Sequence, residues 1–266
     1  RSAGKTLFLL YDITGKEKYR KAIDVIYGQL KGQPRTSEGN FWHKKIYPNQ
    51  VWLDGLYMGQ PFYMEYETRF NDKKNYPDIF NQFFNVVKNM RDKTTGLSKN
   101  FWLRALGWYS MALLDTLTKT DNSYQPAYDQ LKQVFIDLME SMVKFQDESG
   151  MWYQVVNMGG REKNYLETSG SAIMAYSMLK GVRLGFLPES FRAYGEKAFH
   201  GICDRYLKEK DGRLSLGGIC LVAGLGGPQM RDGTYEYYMS EPVVEDDAKG
   251  VGPFLLAYTE MRRLDD

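Results

Sequence analysis

Ser169-Gly170-Ser171-Ala172-Ile173-Met174-Ala175-Tyr176-Ser177-Met178-Leu179-Lys180-Gly181-Val182-Arg183 is apolar or small nearly all the way round when wound as a helix. A helix without a polar face is buried on every side, so this stretch predicts an interior helix. Residues 3–12, 53–69, 103–117 and 250–263 have the same character. Between them lie amphipathic patterns of the ordinary surface kind. Tyr19, Ile23, Ile26 and Tyr27 keep helical spacing after Thr14-Gly15, and Phe80, Phe83, Phe84 and Val87 do so after Asn75-Tyr76-Pro77. Leu131, Val134, Phe135, Leu138, Met139 and Met142 continue it between Tyr124 and Phe145, and Phe191, Tyr194, Ala198 and Ile202 repeat it up to Tyr206. Inner and outer helices alternate, and the first three inner ones recur roughly every fifty residues, a period expected of repeated helical hairpins. Hairpins with their inner helices round a common axis form an α/α toroid. The rival is an open helical solenoid, whose repeats are usually shorter and more alike than these. Short β signals such as Trp152-Tyr153-Gln154-Val155-Val156 fall only in the connections.

The chain has 266 residues, 43% of them hydrophobic, and no Pro/Ser/Gly-rich or single-charge linker divides it, which favours one continuous domain over 1–266. Its 35 basic residues are spread along the chain against 33 acids, so neither nucleic acid nor a membrane surface is an expected partner. Cys203 and Cys220 are too few for a disulfide framework and lack zinc-site spacing; two free, buried thiols are expected, with a disulfide the alternative. The sequence begins inside a helical pattern with no start signal, which reads as a chain that continues upstream.

Aromatic and charged residues collect where the inner helices begin: Phe41-Trp42-His43, Trp52 with Asp54, Trp102 with Arg104 and Trp108, Trp152-Tyr153, and Tyr165 with Glu167. In a toroid these ends converge on one mouth, and flat rings there suit the apolar faces of sugars while polar neighbours take the hydroxyls. Asp54 sits in the otherwise uncharged run Val51-Trp-Leu-Asp-Gly-Leu-Tyr-Met58. A carboxylate held in apolar surroundings needs a partner or a proton, and either outcome suits an acid catalyst; an acid serving its own helix N-terminus is the other reading. Gly55 and Gly59 allow close backbone approach, and Pro61 is expected to disturb the helix just beyond. Arg104 and Trp108 share a helix face behind Trp102, with Ser98 or Asn100 as cap. There Arg104 could clamp a carboxylate bidentately or close a structural ion pair. His43 has no second His or Cys near it, so a metal site is not expected, and His200 on its outer helix reads as structural. Gly224-Leu-Gly-Gly-Pro228 has neither the preceding strand nor the Gly-Lys-Ser/Thr of a phosphate loop and reads as a connection. Glu245-Asp246-Asp247 reads as helix N-terminal charge, with Lys249 in reach of the same mouth.

Trp52-Leu-Asp-Gly-Leu-Tyr-Met58, Phe101-Trp-Leu-Arg-Ala-Leu-Gly-Trp108, Asn164-Tyr-Leu-Glu-Thr-Ser-Gly-Ser171 with Lys180-Gly-Val-Arg-Leu-Gly185, and Glu241-Pro-Val-Val-Glu-Asp-Asp-Ala-Lys-Gly-Val-Gly252 together resemble the unsaturated rhamnogalacturonyl hydrolases of glycoside hydrolase family 105, cousins of the family 88 unsaturated glucuronyl hydrolases. The resemblance implies an all-α (α/α)6 barrel that works without metal or organic cofactor. Its substrate would be an oligosaccharide left by a polysaccharide lyase, from whose non-reducing end a 4,5-unsaturated uronic acid is removed by hydration of the vinyl ether. By motif match Asp54 is the acid and base, and His43, Trp52, Trp102, Arg104 and Trp108 are substrate residues, Arg104 facing the uronate carboxylate. Glu167 and Lys249 join them from the reading of the mouth. The resemblance also implies a second aspartate upstream of Arg1 and a histidine in a loop that is expected to be missing near 91–95. It suggests a pectin-degrading bacterium as source, which allows a cytoplasmic or periplasmic location; a monomer or homodimer is expected. The alternatives are an inverting glycosidase, which needs a second carboxylate about 6.5–9.5 Å from Asp54, best supplied by Glu167, and an inactive sugar-binding relative.

Overall fold

The computed structural model describes residues 4–97, 101–227 and 231–264. Two compact units divide the chain, one formed by residues 1–90 and 111–135 and the other by 91–110 and 136–266.

In the first unit α1 (Gly4–Thr14) ends at Gly15, whose φ of 62° is the left-handed conformation that glycine adopts most readily, and the chain turns back as α2 (Glu17–Lys31). A second hairpin follows, α3 (Leu53–Phe70) and α4 (Tyr76–Met90). Phe8, Ile23, Phe62 and Tyr66 join α1, α2 and α3 in one apolar cluster. The turn between α3 and α4 is organised by Glu67, which is fully buried yet accepts from Tyr27 Oη at 2.8 Å, Asn75 N at 2.9 Å and the Asn71 and Asn75 amides. A buried carboxylate is tolerable on those terms because each lone pair meets a donor. Pro61 is buried within α3 and does not end it, contrary to the expected disturbance. The hydrogen bond its ring removes is offset by a helix buried almost continuously from Gly59 to Glu67.

The second unit is built round α7 (Thr168–Arg183), buried at every position from Thr168 to Leu179 and packed against α8 (Phe191–Tyr206) and α10 (Ala248–Arg262). The all-round apolar reading of 169–183 is therefore borne out. The same reading of 250–263 is only partly so, because Leu255, Leu256 and Tyr258 on α10 are 39–54% exposed. Apolar composition shows what a helix can bury, whereas its neighbours decide what it does bury. α5 (Leu103–Leu117) and α6 (Ala127–Val143) contribute residues to both units.

The β structure is confined to connections, as expected. β1 (Leu207–Lys210) and β2 (Arg213–Leu216) form a hairpin round Asp211-Gly212, both with positive φ, the chemistry of a two-residue primed turn. β3 (Ile219–Cys220) pairs with β4 (Val243–Val244). A short helix, α9 (Tyr235–Ser240), lies between them and carried no sequence signal long enough to be read; Thr234 caps it. The turn near 91–95 is closed by Asp92, which accepts from the amides of Thr94 and Thr95. Ser98, Asn100 and Pro228 lie outside the described residues, and with them the expected cap of α5. Cys220 is buried and Cys203 half-buried, both as free thiols.

Candidate active site

The candidate residues fall into two groups, one in each unit. In the first, the loop before α3 brings His43, Tyr47 and Trp52 together as nearly parallel rings. His43 and Trp52 stack at 4.4 Å with planes 2° apart, and Tyr47 lies 5.2 Å from Trp52. Trp52 precedes α3, and Asp54 occupies its first turn, where the free N–H groups and the helix dipole favour a negative charge. Its Oδ1 stands 3.4 Å from His43 Nδ1 without hydrogen-bond geometry, and both atoms, like Trp42 Nε1, lack a hydrogen-bond partner among the described residues. Gly55 permits this approach, since a Cβ there would stand 3.3 Å from His43 Nδ1; Gly59 faces open space and plays no such part.

The expected deep burial of Asp54 is not what the structure has. Its side chain is 32% exposed, because an apolar sequence neighbourhood becomes a helix whose N-terminal turn still faces outward. Beside it a cavity of about 470 Å³ is lined by Trp42, His43, Trp52 and two lysines, Lys44 and Lys45. The lysines went unread in the sequence, although they directly follow His43.

Burial lowers the pKa of His43 below its ordinary value; the Asp54 charge pulls it upward and Lys44 pushes it further down. The folded protein thus binds fewer protons at this site than the unfolded chain. Its contribution to stability is present above about pH 6.5 and is lost as pH falls below that value toward the depressed folded-state pKa. A His43→Gln variant is expected to flatten this segment of a plot of unfolding midpoint against pH, measured from pH 7.5 to 5; an unchanged slope would remove His43 as its source.

The second group surrounds the first turns of α5 and α7. Three extended segments lie side by side there: Leu103 N donates to Gln154 O at 3.0 Å, and Gln154 N donates to Tyr165 O at 2.8 Å. Phe101, at φ 49°, holds a conformation unfavourable for an aromatic residue and sets the course of the chain into Trp102. Gly170 lets α7 approach α5, for a Cβ there would fall 2.3 Å from Leu103 Cγ.

Arg104 and Glu167 face each other here at 4.0 Å, 2% and 0% exposed. Glu167 Oε1 accepts from Ser169 N at 3.0 Å, Ser169 Oγ at 2.6 Å and Cys220 N at 3.0 Å, and Oε2 from Gly170 N at 2.7 Å. It is the N-cap of α7, with its lone pairs occupied. Arg104 Nη1 donates to Ser169 Oγ at 3.2 Å and to the Cys220 carbonyl, and its guanidinium lies 5.2 Å from the Trp102 ring centre. Of the two readings of Arg104, the structure has the internal ion pair. Trp108 is half-buried one turn along α5. Trp152, placed at the mouth by its position in sequence, is fully buried and donates to Met142 O at 2.8 Å. Lys249 Nζ lies 2.7 Å from Asp247, the N-cap of α10. Burial tends to raise the Asp247 pKa, but the Lys249 contacts outweigh it and hold that carboxyl below its usual range. Glu245 pairs with Lys210 at 2.7 Å, and Asp246 accepts from Leu216 N at 2.8 Å.

No group of His, Cys, Asp and Glu among the described residues is arranged to hold a metal, and no helix among them is long and apolar enough to cross a membrane.

The model for glycosyl hydrolase family 88 matches residues 1–98 and 93–265. A glycoside hydrolase of family 105 from C. acetobutylicum is 44% identical and superposes with a TM-score of 0.92, over 98% of this chain and 78% of the other. A 24.9 kDa protein in the picA locus of Rhizobium radiobacter is 35% identical over 229 residues, 76% of this chain and 97% of that one. The unsaturated rhamnogalacturonyl hydrolase YesR of Bacillus subtilis is 26% identical over 233 residues, 80% of this chain and 64% of that protein. Together with the predominance of helix, these likenesses bear out the all-α toroid as the fold class.

Proposed function

This chain belongs to glycosyl hydrolase family 88, and from that premise we propose that it removes a 4,5-unsaturated uronic acid from the non-reducing end of lyase-generated oligosaccharides of the rhamnogalacturonan type. The observation that carries this reading is Asp54, a partly exposed acid with an unpartnered oxygen, beside an aromatic cavity edged by two lysines. The activity named for the Bacillus relative supports the same substrate class.

In this reading Asp54, as the carboxylic acid, donates a proton to C4 of the vinyl ether, and water adds at C5 as Asp54 takes back a proton from it. The hemiketal at C5 opens with cleavage of the C5–O5 bond, and the hemiacetal left at C1 expels the rest of the sugar as an alcohol. One water is consumed and the conjugated double bond disappears. Lys44 and Lys45 supply positive charge for the uronate carboxylate, and Trp42 and Trp52 take the ring face. Arg104 is engaged by Glu167, Ser169 and the Cys220 carbonyl, so its part is to position Trp102 rather than to bind the uronate. Glu167 is equally engaged, which speaks against an inverting mechanism with Glu167 as base.

The test is the purified protein on an unsaturated rhamnogalacturonan disaccharide, followed by loss of ultraviolet absorbance from the conjugated double bond. Loss of absorbance with release of the neutral sugar is expected. Turnover of saturated glycosides instead would overturn the reading in favour of direct displacement at C1.

A further inference from the structure

A cavity of about 320 Å³ in the first unit has no part in the chemistry above. It adjoins the cavity beside Asp54, because Val51 lines both. The two differ in chemistry. Lys44 and Lys45 edge the first, together with Trp42 and Trp52. The second has neither a cation nor an aromatic ring in its lining: Asn40, Asn49, Asn85 and Asn89 bring carboxamides to it, Ser37 a hydroxyl, and Glu38 the one charge.

Amides also hold the walls in place. Gln82 on α4 donates from Nε2 to Gly39 O at 3.0 Å and accepts from Phe41 N at 2.9 Å, which ties the loop before α3 to that helix. Asn40, 3% exposed, donates to Gln82 O at 3.0 Å and accepts from Asn85 Nδ2 at 2.8 Å. Asn85 Nδ2 gives its other hydrogen to Glu38 O at 2.9 Å. Asn89 Nδ2 donates to the Glu38 carboxylate, which Lys88 also meets at 3.2 Å. These partners fix which end of each amide faces them, since an oxygen in place of either nitrogen would meet only acceptors. Oδ1 of Asn85 and Oδ1 of Asn89 are thereby left without donors, and the Asn49 amide and the Ser37 hydroxyl make no hydrogen bond among the described residues.

The free groups specify their ligand. Two amide oxygens accept, while the Asn49 amide and the Ser37 hydroxyl both donate and accept. Neighbouring hydroxyls of a neutral sugar suit such a set, because each can donate to one group while it accepts from another. A carboxylate or phosphate is unfavourable there, with no lysine or arginine in the lining and the negative charge of Glu38 beside it. A metal ion is disfavoured as well, for Glu38 is already engaged by Lys88 and Asn89. Val51, Val86 and Met90 add apolar surface for the face of a ring. We propose that this cavity is the subsite for the neutral sugar next to the unsaturated uronate, so that a lysine-edged and an amide-lined cavity sort the two rings of the substrate by charge.

The inference rests on the proposed substrate class, and its test separates the two. Wild type, the double variant Asn49→Gly with Asn89→Ala, and Ser37→Ala are compared on the unsaturated disaccharide and on the methyl glycoside of the unsaturated uronic acid, which has no second ring. Asn49 stands at φ 58°, a backbone that glycine keeps while the amide is removed. The double variant is expected to raise KM for the disaccharide about tenfold, the worth of one or two hydrogen bonds to neutral partners, with kcat within about twofold of wild type. Ser37→Ala, at an exposed position with no hydrogen bond to lose, should raise it about threefold and gives a reading independent of any effect of the double variant on folding. A rise confined to the disaccharide supports the subsite. An unchanged disaccharide KM in both variants would overturn it, and so would an equal rise on the two substrates, which would make these residues supports of the loop beside the acid. If wild type leaves the double bond intact in both substrates, the functional reading fails by itself; the subsite then stands if chemical-shift titration shows methyl rhamnoside binding to wild type and not to the double variant, and falls otherwise.

Discussion

An Asp54→Asn protein will fold as the wild type does and turn over the unsaturated disaccharide roughly a thousandfold more slowly. The rate loss is the ordinary worth of a general acid, about 10²–10⁴, since an amide cannot deliver a proton to C4 or take one from water. The fold should be indifferent. The Asp54 side chain is 32% exposed and its Oδ1 carries no hydrogen bond among the described residues, so the structural loss is confined to a favourable dipole interaction of about 0.3–1 kcal/mol. Single-turnover rates paired with thermal midpoints separate the two effects. Similar rates in both proteins would remove Asp54 from the chemistry, while a collapse of the midpoint would make it a structural acid.

Glu167→Ala is expected to do the reverse and strike the fold first. The substitution strips the cap from α7 and leaves the Arg104 guanidinium, 2% exposed, without its counter-charge. Breaking one side of a buried pair costs about 3–5 kcal/mol. For a chain of this size that is a fall of roughly 6–20 °C in the unfolding midpoint, at about 2–4 °C per kcal/mol. Replacing both partners, as in Arg104→Met with Glu167→Gln, should recover part of the loss, because no uncompensated charge then remains inside. A Glu167→Ala protein with a wild-type midpoint and no activity would place Glu167 in the reaction instead.

Much of this was legible in the residues themselves. α7 could be read from its lack of a polar face, and Gly15 marked the end of α1. Trp52 and Asp54 stand two positions apart in sequence and together form the start of α3. The site was less legible wherever its meaning depends on a remote partner. Arg104 was open between a ligand clamp and an ion pair until Glu167, 63 positions later, was seen facing it. Trp152 shares the local pattern of Trp102, yet one lies in the core and the other at a helix start.

The sequence by itself determined the helical class, the buried character of α7 and the family, and it singled out Asp54 as the acid to test, because periodicity and short motifs are properties of neighbouring residues. Only the tertiary structure decided that Asp54 is part-exposed, that Arg104 and Glu167 serve each other, and that Lys44 and Lys45 edge a cavity. Burial and charge pairing depend on which distant segments meet, and that is fixed by packing, which no local pattern encodes.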